Sequence, residues 1–147
     1  NKGFSLVELI VVVLIMAIIA VSLAPQVMKW VNNARLSTDR QTADSVVSIA
    51  RLALTDFGAY GAVTGDGGSE YTISIDKSGC TIKKGGATPG SGDAFVEAFC
   101  SNVGVTTTTS IDSVALKSSG ITVVVTVSTS GVVSSNAETV LSSADFE

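Results

Sequence analysis

The chain has 147 residues, a formal net charge of −4 and no histidine, so the commonest general base and metal ligand is missing. Its Lys and Arg residues, 9 against 13 Asp and Glu, form no run, which excludes the basic footprint that nucleic acid requires. The length accommodates one ordinary domain with a modest core. Mean hydropathy is +0.49, but most of it sits in residues 1–25, and the remainder of the chain is rich in Ser, Thr, Gly and Val. The pattern is a lipid-compatible head on a polar, strand-prone body.

From Leu9 to Ala24 the head runs LIVVVLIMAIIAVSLA, with Ser22 its only polar residue. Extended back to Phe4, the segment has the ~20 residues that a helix needs to cross a bilayer core. A cleaved signal peptide would have a shorter apolar stretch and a small-residue cleavage site behind it. Here the segment runs into Pro25 and then into a long polar helical pattern, which favours a single-span anchor. Within the apolar segment stands Glu8, and a carboxylate at that depth is costly enough to signal function.

The surrounding residues, Lys2-Gly3-Phe4-Ser5-Leu6-Val7-Glu8-Leu9, the apolar run and Pro25, together resemble the processing and assembly segment of type IV prepilins. The resemblance implies that a prepilin peptidase cuts between Gly3 and Phe4, so that residues 1–3 are residual leader and Phe4 becomes a methylated N-terminus. It implies a helical homopolymer of identical subunits, built by a pilus assembly machinery from subunits held in the membrane, with Phe4, Glu8 and Pro25 as assembly residues. Glu8 of an incoming subunit would pair with the Phe4 amine of its neighbour. That amine, with an ordinary pKa near ~8, is largely cationic, and each charge alone would be strongly disfavoured in a dry helix bundle. Glu8 then acts as a register device. One departure is Ala17, a strong helix former, where many members of the family have Gly. Any loosening of the helix would therefore rest on Pro25.

After Pro25, Ala43, Val46, Val47, Ala50, Leu54 and Phe57 fall at spacings of three and four and predict an amphipathic helix over 26–57, stopped by Gly58. Arg35, Asp39, Arg40, Asp44 and Arg51 take its other faces. The segment 59–70 is turn-rich and is expected to be a loop. Asp66 and Glu70 within it lack the liganding pattern of a Ca²⁺ loop. Residues 71–75 and 80–83 alternate around Asp76-Lys77-Ser78-Gly79 and predict a β-hairpin. GGATPGSG, residues 85–92, lacks the GK[ST] of a phosphate cradle. Residues 93–100 predict a short helix, and ITVVVTV, residues 121–127, a strand turned back by Ser128–Gly131 into Val132 and Val133.

Cys80 and Cys100 are the two cysteines. In an exported domain an even count points to a disulfide, with two buried free thiols as the alternative. No catalytic constellation is present, and neither an enzyme, a cofactor nor a metal site is expected. The expected fold is α+β: a long N-terminal helix, apolar in its first half (4–25) and amphipathic in its second (26–57), packed on a small antiparallel β-rich domain (58–147). The expected function is that of a structural subunit of an extracellular type IV pilus, serving adhesion, surface motility or DNA uptake. Nucleic acid would be a partner only in the last case. The alternatives are a pseudopilin of a type II secretion or competence system and a membrane-tethered binding domain that never polymerises.

Overall fold

The computed structural model describes residues 3–143. Its elements run in the order α1 (Leu6–Ala53), α2 (Phe57–Thr64), β1 (Tyr71–Asp76), β2 (Gly79–Lys84), α3 (Ala94–Val103), β3 (Ser110–Ile111), β4 (Val123–Val127), β5 (Val133–Ser135) and α4 (Ala137–Ser142). Two units divide the chain within α1, one running to Ala34 and the other beginning at Arg35.

Between Leu9 and Ala24 α1 is apolar on every side, and each of its residues from Leu6 to Val31 is exposed. The helix continues through Pro25 without a break, although a proline there removes one backbone donor and crowds the preceding turn. Ser22, the one hydroxyl of the apolar run, donates to the Ile19 carbonyl at 2.9 Å and so satisfies itself within the helix.

In the second unit α1 buries Leu36, Asp39, Ala43, Val46, Ala50 and Ala53, a stripe with alternating steps of three and four. The alanines on it let the helix backbone come close to its neighbours. The sheet has the order β3-β2-β1-β4-β5 and is antiparallel throughout. On central β1, Ile73 stands opposite Ile82 of β2 and Val125 of β4, and Ile75 opposite Cys80 and Val123. These residues line one sheet face and join the α1 stripe, Phe95 and Phe99 of α3 and Leu141 of α4 in a single core. The alternate residues, Thr72, Ser74 and Thr126 among them, are half-buried on the other face. This is the period-two pattern of a one-sided antiparallel sheet. The fold is α+β, as expected.

Two expectations are corrected. Neither the helix over 26–57 nor the loop over 59–70 holds: α1 ends at Ala53, and α2 occupies Phe57–Thr64. The break comes from Thr55 and Asp56, whose N–H groups donate to Leu52 and Ala53 in a tightened last turn. The Asp56 carboxylate then caps the new helix by accepting the Ala59 N–H at 3.0 Å. An aspartate N-cap outweighs two interior glycines here, because Ala59 and Val63 are fully buried and α2 packs on α3. Phe57, the expected last residue of the stripe, is instead 93% exposed at the start of α2.

The second correction concerns Asp39, which is expected on a solvated face but is fully buried. Its carboxylate accepts the backbone N–H groups of Lys117 and, at 3.0 Å, of Ser118, tying α1 to the connection between β3 and β4. At the hairpin tip Gly79 has φ +142, and a Cβ there would lie 2.7 Å from the Ile111 carbonyl oxygen. Only glycine lets β2 approach β3 at that point.

We predict that Asp39→Ala destabilises the chain by about 2–4 kcal/mol, since charge-assisted bonds are lost and their donors stranded. Asp39→Asn, which keeps one acceptor oxygen, should cost less. Urea unfolding of the detergent-solubilised chain, followed by circular dichroism, measures both; an unchanged midpoint for the alanine variant would rule out the strap.

Candidate functional site

Gly3, Phe4, Ser5 and Glu8 lie together at the head of α1. Phe4 is 91% exposed, and nothing surrounds the Gly3 backbone within 4 Å of where a Cβ would stand. The Gly3–Phe4 peptide bond therefore sits on open, non-helical chain just ahead of the helix. Ser5 is the last residue before α1, its carbonyl accepting the Leu9 N–H at 3.2 Å. Its own N–H donates to Glu8 Oε2 at 2.9 Å. This is the acidic half of a capping box, in which the third helical residue reaches back to the residue before the helix. A carboxylate in the first turn also faces the positive end of the helix dipole. Glu8 thus has a local partner within its own chain. The Ser5-Leu6-Val7-Glu8 spacing carries this signal, which the apolar context masks.

Glu8 uses one oxygen for Ser5, and Oε1 takes no bond among the described residues. Pro25 is not brought near this cluster; it lies 17 residues further along the same run of α1, about 25 Å away. Asn1 and Lys2, which complete the expected leader, fall outside the described residues.

A family model for the prokaryotic N-terminal methylation motif matches residues 1–24. The chain carries the type IV prepilin-like signal. A long apolar helix comes after it, and the motif supports a type IV pilin- or pseudopilin-like subunit. The motif implies processing by a prepilin peptidase and assembly into pili, and points to a structural protein rather than an enzyme. Motif and helix together fit a membrane-anchored precursor and a surface filament. No curated protein and no solved structure matches the chain.

In the second unit the two cysteines are both fully buried, and both are free thiols, so the expected bridge is not formed in this structure. Cys80 lies on β2 and Cys100 on α3, where the Cys100 thiol donates to the Thr108 carbonyl at 3.2 Å. Burial pushes the Cys80 thiol up to about 12, and the nearby Cys100 adds to the rise. A thiol held so far from ionisation is a poor nucleophile in the folded state.

Sequence reasoning missed a second polar cluster. Asp93 caps α3 by accepting the Phe95 and Val96 N–H groups. The Tyr71 hydroxyl lies 2.8 Å from each Asp93 oxygen, and Lys84 Nζ is 3.0 Å from Oδ2. The Lys84 ammonium also stands 5.4 Å from the centre of the Tyr71 ring. These side chains join α3 to the β1–β2 hairpin. An aspartate before an apolar helical run is a legible cap, but its partners come from 9 and 22 residues away, which spacing alone does not show. Burial works against ionisation of Asp93, yet the Lys84, Tyr71 and Val96 hydrogen bonds outweigh it and hold the carboxyl below the usual range.

A carboxylate whose folded pKa is depressed stabilises above its ordinary value of 3.8, and that contribution is lost as pH falls through the lower folded value. We therefore expect stability to drop on acidification below about pH 4, with a smaller drop in Asp93→Asn. Thermal melts across that window compare the two; identical pH profiles would show that Asp93 is not the titrating link.

Proposed function

We propose that the chain is a structural subunit of an extracellular type IV pilus, polymerising through residues 4–25. The observation that carries this is the junction of the methylation motif with a helical segment exposed and apolar on every side. Such a surface has no stable place in water. A bilayer satisfies it before assembly, and neighbouring copies would satisfy it afterwards. Each buried Val, Leu or Ile contributes about 1.5–3 kcal/mol relative to water, which is ample to hold a fibre without covalent links.

Lipid is as apolar as a helix bundle, so burial alone does not draw a subunit out of the membrane. In this reading Glu8 supplies the difference. The Ser5 N–H offsets part of its cost in the free subunit, and the remaining carboxylate oxygen accepts the cationic Phe4 amine of a neighbour once Gly3 has been cut away. A single axial stagger makes that pair. Residues 1–3 are then leader, and the part beginning at residue 26 is the body that the fibre displays. Adhesion, surface motility and DNA uptake are the roles such a fibre serves. The Cys80–Cys100 pairing belongs to the same reading: both thiols are buried, Cys100 is close enough to raise the pKa of the Cys80 thiol, and the compartment outside the cytoplasmic membrane is oxidising.

Intact-mass analysis of sheared surface fibres should give a chain that begins at Phe4 with one added methyl group. The same spectrum, taken without reductant, should be lighter by the two hydrogens lost to the bridge. A mass retaining Gly3 would remove the positive partner of Glu8, and two alkylatable thiols would remove the bridge.

Glu8→Ala should insert in the membrane normally yet enter fibres at least about ten-fold less, since one unpaired member of a buried ion pair costs about 3–5 kcal/mol. Glu8→Gln should fall between the two. Electron microscopy and immunoblotting of sheared material read the outcome, and wild-type fibre levels in the alanine variant would refute the register mechanism. Long fibres containing the chain also separate a pilus from a short pseudopilus and from a monomeric tether.

A further inference from the structure

The far end of the apolar segment carries a second feature that pilus assembly does not use. No charged residue occurs between Glu8 and Lys29, and Lys29 is followed by Trp30, the single tryptophan of the chain. Both side chains are exposed, Trp30 at 63%, and the indole N–H has no acceptor among the described residues. Polar Asn32 and Asn33 come next. The step from Glu8 to Lys29 is 21 residues, about 32 Å of α-helix, against a hydrocarbon core about 30 Å thick. When Glu8 lies at one boundary of that core, Lys29 and Trp30 lie at the other.

We propose that Lys29 and Trp30 are a lipid-headgroup docking site that sets the depth of the unassembled subunit in the bilayer. The proposal rests on the proposed function, in which the precursor is held in the membrane, and names the chemistry of that contact. The indole ring is apolar in body and carries one polar donor, the combination enriched at the membrane–water boundary. The Lys29 stem lies along apolar surface while its ammonium reaches outward to the anionic phosphate oxygens of phospholipids. A second copy of the chain is a poorer occupant for this end of the segment, because lysine is depleted from protein–protein interfaces.

Because Trp30 is the sole indole, the unmodified full chain reports its own depth. We would reconstitute it in phosphatidylcholine–phosphatidylglycerol vesicles and follow Trp30 emission with lipids brominated near the headgroup or near the chain ends. Quenching should be about two-fold stronger or more for the shallow position. Lys29→Glu should raise acrylamide access and shift emission to the red in these anionic vesicles, and do so less in phosphatidylcholine alone. Flotation of the chain with vesicles is scored in parallel. A chain that does not float overturns the membrane-held precursor and the docking site with it. A chain that floats with Trp30 quenched best from the bilayer centre, or emitting as in water, overturns the docking site alone. Shielding of Trp30 from both lipid and acrylamide would assign the face to a second copy and likewise overturn it.

Discussion

Between Leu9 and Ala24 the helix has no polar side, and that one constraint orders the rest of the segment. In hydrocarbon every backbone and side-chain polar group must find its partner locally. Ser22 returns its hydroxyl to the Ile19 carbonyl, the helix passes Pro25 without opening, and Glu8 folds back on the Ser5 N–H. Ser22 and one oxygen of Glu8 are thus each satisfied within one turn of where they arise. The surface that remains is apolar, and only lipid or other copies of the same surface can take it.

The position of Glu8 gains meaning from this. A carboxylate with no local partner would carry its full desolvation cost wherever the subunit sat. The Ser5 N–H and the helix dipole reduce that cost, with one oxygen committed and the other taking no bond among the described residues. Under the proposed assembly the two engagements do not compete, since the neighbour's amine and the local N–H meet different oxygens. The same residue would then serve the isolated helix as a cap and the fibre as a register mark.

The second unit solves a different problem, that of building a core from a sheet rich in Val, Ser and Thr. Alanines on the inner stripe of α1 bring the helix close to its neighbours, and two aspartates lock what hydrophobic contact alone would leave free to slide. Asp39 ties α1 to the β3–β4 connection through backbone donors. Asp93 ties α3 to the β1–β2 hairpin through Tyr71 and Lys84. Both carboxylates are paired with groups distant in the chain, which makes them cross-links of the fold rather than features of any one element.

Sequence alone determined the apolar head, the methylation context, the α+β class, the β1–β2 and β4–β5 hairpins and the helix after Asp93. Each of these rests on local signals: an uninterrupted hydrocarbon run, period-two alternation around turn residues, or apolar residues at helical spacing. Tertiary structure decided the break between α1 and α2, where the packing of Ala59 and Val63 made a helix from a glycine-containing segment that resembles a loop. It also decided the burial of Asp39, because its charge argues for the solvent side while the fold encloses it. Only the N–H groups of Lys117 and Ser118, 78 and 79 residues away, resolve that conflict. Residue spacing carries no information about hydrogen-bond partners brought together from opposite ends of a domain, and there the structure had to supply the answer.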